Sequence, residues 1–137
     1  MTEVRATPAA QAADLAARWG PTAGRMLLGL VLAWFGYHEL VQPALWTGYL
    51  PLVHSSSTAA VILVLAHGWV LLVLAVALIA GIAARAAAGL TALLLAQIVI
   101  WLTMTAGLSD LTLRDVGVLG LALCIAGSTE QRFTLAS

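Results

Sequence analysis

The twelve residues from Met26 to Tyr37 carry no charge, and the apolar run they begin takes in His38 and Glu39 before it ends. Arg25 opens this stretch, and Pro43, Trp46, Tyr49 and Pro51 close it. On a helix, Arg25 and Glu39 stand about 21 Å apart at 1.5 Å per residue. The hydrocarbon core of a bilayer is about 30 Å thick. A helix that crosses it from Arg25 therefore leaves His38 and Glu39 within or just under the far interface. Lipid offers a carboxylate neither a partner nor water, so Glu39 demands a buried partner or a wet cavity. The rest of the chain is read as building that environment.

Composition supports the membrane reading. Of 137 residues, 62% are hydrophobic and only 9% are charged. A soluble domain carries about 25% charged residues. The length suits one domain and no second. Six Arg balance six acids and there is no Lys, so no basic footprint marks a nucleic-acid partner. The single cysteine, Cys124, has no intrachain disulfide partner and reads as a small buried apolar side chain.

In chain order, residues 1–20 form an N-terminal tail or an interfacial helix. Glu3 and Asp14 interrupt them, which argues against a signal peptide. Within them, Pro8 to Trp19 has the pattern of a short helix with Leu15 and Trp19 on one face and Arg18 alongside. A membrane domain follows over residues 21–128, with spans predicted at about 24–41, 58–80, 86–106 and 111–127, and a C-terminal tail at 129–137. Gly29 and Gly36 keep the first span narrow for close packing. Its connector, 42–57, has no Lys or Arg; Pro43 and Pro51 prevent continuous helix, and Trp46 and Tyr49 read as interface anchors. The uncharged run Val116 to Ala126 is shorter than the roughly 17 to 25 residues that crossing needs. The fourth span must therefore include Arg114 and Asp115. Arg5, Arg18, Arg25, Arg85 and Arg132 fall on one side and Arg114 on the other, which predicts cytoplasmic termini. The predicted fold is an all-α integral membrane protein, a four transmembrane helix bundle.

This topology brings His38, Glu39, Asp110, Arg114 and Asp115 to one depth at the outer end, with His54 in the intervening connector. Arg114 is expected to pair with Glu39 or Asp115. Two readings of this cluster stand side by side. One is an ion-pair network that fixes helix register. The other is a pocket for a quinone head group or a small anion, with His38 or Glu39 moving protons. His67 lies about 13 Å into the second span at 1.5 Å per residue. Its expected partner is Gln97 or a Thr of the third span, with a quinone contact or proton relay as the alternative. No cofactor is named by the residues. A quinone suits them, whereas the heights of His38 and His67 match poorly for a haem, and no metal site is expected. Trp34, Trp69 and Trp101 read as packing residues. Gly117 and Gly120 give the fourth span a small-residue face for another helix, which predicts a homo-oligomer or a subunit of a membrane complex in contact with lipid. No CxxC, Walker loop, HExxH or nucleophile elbow occurs, which counts against a self-contained enzyme and leaves enzymatic activity open.

The residues so assembled resemble the DoxX-like family of small four-helix membrane proteins. The likeness lies in Arg25, Gly29, Phe35-Gly36 and Leu40, then in Pro43, Trp46 and Gly48-Tyr49-Leu50-Pro51. It continues in Arg114-Asp115-Val116-Gly117-Val118-Leu119-Gly120 and covers about residues 20 to 128. Many relatives have a Lys after the Gly of the first span where this chain has His38 and Glu39, which reverses the local charge. The resemblance implies a membrane subunit of a quinone-linked redox assembly that anchors a partner. The rival reading is a non-redox membrane protein, either a structural subunit of a larger complex or a small-solute transporter.

Overall fold

The computed structural model describes residues 6–129 and 131–136; Glu3, Arg5 and Ser137 lie outside them. Four helices account for most of the chain: α1 Pro8–Val41, α2 Thr58–Ala80, α3 Ala84–Ala106 and α4 Asp110–Gly127. Two short 3-10 turns, Pro43–Leu45 and Thr47–Tyr49, fill the first connector. Two of the helices, α2 and α3, are long and apolar enough to cross a membrane, with 23 residues each. That is about 35 Å at 1.5 Å per residue.

The boundaries of α2, α3 and α4 follow local chemistry. Ser57 and Ser109 accept hydrogen bonds from the backbone N–H of Ala60 and Thr112, so α2 and α4 each start on an N-cap. Gly81 ends α2 in the left-handed region at φ 71°, which glycine adopts without a Cβ penalty. The first helix differs from expectation. The predicted short N-terminal helix and the first span are one 34-residue helix, capped by Thr7 and passing through Pro21 without a break. Pro21 removes one backbone hydrogen bond, while the Ala-rich sequence before it has the highest helix propensity available. Propensity wins, and residues 8–20 form an exposed helical extension.

α1 and α2 pack along their length through glycines. A Cβ on Gly36 would sit 2.8 Å from the Gly68 carbonyl oxygen, and one on Gly68 would sit 3.1 Å from that of Gly36. Gly29 lies as close to Ala75 and Ile79. This is the narrow surface that Gly29 and Gly36 predict. α3 and α4 form the second close pair, whereas α2 and α3 meet over a shorter stretch despite their three-residue turn. Leu28, Leu32, Leu71, Leu74, Leu78, Leu95 and Ile125 form the core between the pairs.

A feature absent from the sequence reading closes the Gly81 end. Arg25 is fully buried, and its Nη2 donates to the carbonyls of Arg132 at 2.9 Å and Phe133 at 3.0 Å. Thr22 accepts from the Arg132 N–H at 3.1 Å, and Trp19 stacks on Arg132 and Phe133. Residues 131–136 thus form a strap, tied further by Leu135 N–H to Ala80 O and Ala83 N–H to Ala136 O. Arg85 caps α4 from the same end by donating to Ala126 O.

Replacing Arg25 with Met should free the strap. Two charge-assisted hydrogen bonds are lost, each worth about 1.5–3 kcal/mol, while removal of a buried cation offsets part of that for the rest of the fold. Limited proteolysis should then cut within residues 131–136 much faster than in the parent. Equal protection of the strap would exclude Arg25 as its anchor.

Candidate functional site

The close approach of Gly36 and Gly68 sets the site. Glu39 lies one turn beyond Gly36, and a Cβ on Gly68 would touch the Glu39 Cβ at 3.1 Å. With the helices this near, the Glu39 carboxylate meets the residue just before Gly68 on α2: Glu39 Oε2 lies 2.7 Å from His67 Nδ1. The carboxylate is 8% exposed and the imidazole 23%. His67 therefore pairs with Glu39, not with Gln97 or a Thr of α3. Those Thr side chains turn back on their own helix: Thr91, Thr103 and Thr105 donate to Ala87, Val99 and Trp101 carbonyls. The first connector explains why Glu39 and His67 share a level. Its two turns pack against α2, so the first turns of α2 stand beside the connector and α1 stops short of them.

His38 does not join the site. Successive helical residues point about 100° apart, at 3.6 residues per turn, so an inward Glu39 turns His38 away. Its Nδ1 lies 2.8 Å from the Trp34 carbonyl and its ring rests on the Trp34 indole.

Arg114 takes the second of its two expected partners. Its Nη2 and Nε lie 2.9 and 3.0 Å from Asp115 Oδ1, and the guanidinium stands 4.6 Å from the centre of the Phe35 ring. Asp110 and His54 are both exposed, and neither lines the site.

Between these pairs lies a cavity of about 320 Å³. Glu39, His67, Gln97, Arg114 and Asp115 are its polar lining; Leu32, Phe35, Leu71, Leu95 and Trp101 are among its apolar walls. Trp46 and Tyr49, expected as interface anchors, border it from the connector, with Trp46 edge-on to Phe35. Two nitrogens of the lining residues, His67 Nε2 and Trp46 Nε1, are buried without a protein partner. Each such group costs about 1–3 kcal/mol unless something satisfies it.

Other expectations are corrected. Trp34 and Trp69 are not packing residues but point outward, at 64% and 61% exposed, and of these three tryptophans only Trp101 walls the cavity. Cys124 is exposed rather than buried. The expectation for Gly117 and Gly120 is not among those corrected: both face outward, and a Cβ at either position would meet nothing within 4 Å. Phe35 and Gly68 carry the site, and the sequence reading misses both as its members; the small residue beside His67 is the available signal.

The chemistry of the arrangement follows from its donors. With Glu39 ionised and His67 neutral, Nδ1 donates to the carboxylate and Nε2 presents a lone pair; with His67 protonated, both nitrogens donate. The pair can hold a proton beside an apolar cavity of a size that takes small ligands, about 300 Å³ and upward. Comparison with family models, curated proteins and solved structures finds no match to this chain.

Proposed function

We propose that the chain is a four-span inner-membrane subunit of a quinone-linked redox assembly, and that the cavity receives the quinone head group. The observation that carries this reading is the Glu39–His67 pair, whose Nε2 is unpartnered at the border of an apolar, aromatic-walled cavity. In this reading His67 Nε2 meets a quinone oxygen and Glu39 orients the imidazole and exchanges its proton. Arg114, held by Asp115, supplies a donor at the edge. A redox partner supplies the two electrons that accompany two protons in forming the quinol. A small-solute transporter is less well supported, because Leu28, Leu74 and Leu78 fill the bundle between the cavity and the Gly81 end. The uncovered Gly117–Gly120 face of α4 is where this reading seats a partner helix or a second copy.

The test is quinone binding in mild detergent. Decylubiquinone should raise the unfolding midpoint in a saturable way, by about 2.7 kcal/mol of stabilisation at a hundredfold excess over Kd. Glu39→Gln keeps an acceptor for His67 and should fold, yet lose proton exchange with bound quinone. No co-purifying quinone and no shift with decylubiquinone would sink the reading.

The orientation, with both termini cytoplasmic, has its own check. In a Cys124→Ala background, an impermeant thiol reagent added outside should modify Ser56→Cys and spare Ser137→Cys. The opposite pattern inverts the proposal.

A further inference from the structure

We infer that the cavity is entered sideways, from the hydrocarbon layer, through the seam where α2 and α3 part, by a lipid-borne molecule with an apolar body and an acceptor oxygen. The inference rests on the proposed binding role of the cavity, but not on the occupant being a quinone.

Three observations carry it. The first is the rim. Leu63, Ala66 and Val70 line the cavity and are also exposed on the outside of the bundle, Leu63 at 44% and Val70 at 46%. They lie at i, i+3 and i+7, one stripe of α2, and all three are apolar. A mouth that opened to water would not need such a rim. The second is its height. Val70 is the thirteenth of the 23 residues of α2, one residue past the helix midpoint. Since α2 and α3 are the two helices apolar enough to cross a membrane, a gap between their middles faces acyl chains. The third is the opposite end of the cavity. There the connector and Arg114 form a cover, with Trp46 packed on Phe35 and the guanidinium clamped between Asp115 and the same ring. The indole Nε1 of Trp46 is buried and unpartnered. An indole N–H can only donate, so an occupant with an acceptor oxygen suits this lining residue.

The test uses a small apolar photoprobe, a trifluoromethyl iodophenyl diazirine, with the protein in phosphatidylcholine vesicles. Light expels nitrogen from the probe, and the carbene inserts where the probe resides. Leu71 and Leu95 line the cavity and are 2% and 4% exposed; Val73 faces outward at 66%. The inference expects labelling at all three. Ala66→Trp, and independently Val70→Trp, should close the mouth and abolish labelling of Leu71 and Leu95 while leaving Val73 labelled. Both sites are exposed, so either variant has room for the ring. An unlabelled Leu71 and Leu95 beside a labelled Val73 overturns the inference. So does wall labelling that survives both variants, or labelling of the wall by a charged, water-soluble diazirine instead. Excess decylubiquinone separates the two proposals. Protection of the wall supports both. Wall labelling that Ala66→Trp blocks but decylubiquinone does not overturns the quinone reading and leaves sideways entry standing.

Discussion

His67→Leu is expected to destabilise the protein by about 3–5 kcal/mol, the cost of leaving a buried charge without its partner. Glu39 is the charge in question, at 8% side-chain exposure and 2.7 Å from the imidazole. Leu fills nearly the volume of His, so lost packing is a minor part of the effect. Glu39→Gln should cost far less, because its amide oxygen still accepts from Nδ1–H; a neutral hydrogen bond is worth about 1 kcal/mol net. The double variant Glu39→Met, His67→Leu should recover most of the loss, since apolar replacement of both partners is often neutral or better. Unfolding in detergent reads all three. A His67→Leu protein as stable as the parent would show that Glu39 does not depend on the histidine.

Gly36→Val should have an effect of similar or larger size by a different route. The first carbon of the new side chain would lie 2.8 Å from the Gly68 carbonyl oxygen and 3.1 Å from the Leu71 Cβ. Overpacking in a core costs about 1–3 kcal/mol where side chains can yield. Here the obstacle is backbone, so α1 and α2 must move apart, and the cost belongs at or above the top of that range. The same separation pulls Glu39 from His67, coupling the packing defect to the site. Gly68→Val attacks the same contact, so the two substitutions together should cost less than their sum. Gly120→Val is the control: a Cβ there meets nothing within 4 Å, and the fold of the single chain should be unaffected. Retention of parental stability by Gly36→Val would refute the close approach.

Much of this architecture is legible because polar and special residues punctuate an apolar chain. Ser57, Gly81, Gly107 and Ser109 bracket α2, α3 and α4, and the predicted 58–80, 86–106 and 111–127 lie within two residues of the observed helices. Glu39, His67, Arg114 and Asp115 do line one cavity, because few places in such a bundle can satisfy them. Their pairing is only half legible. Which carboxylate receives Arg114 depends on how closely α1 and α2 approach, and that distance is decided by Gly36 and Gly68 on different helices. Facing is the least legible property. α2 is apolar all round, so no hydrophobic stripe marks its inward side. Trp34, Trp69 and Cys124 are misplaced for related reasons: in a chain this apolar, hydrophobicity no longer separates inside from outside. Arg25 carries a charge in plain view, but its partners are backbone carbonyls, which have no signature in a sequence.

The partners of Arg25 also lie far along the chain. Arg132 and Phe133 are 107 and 108 residues downstream of it. During synthesis α1 precedes these carbonyls, so Arg25 has neither of them to bind until residues 132 and 133 have been made. Its two hydrogen bonds serve as a time stamp, formed only in a chain that has been translated through the strap and folded back onto α1.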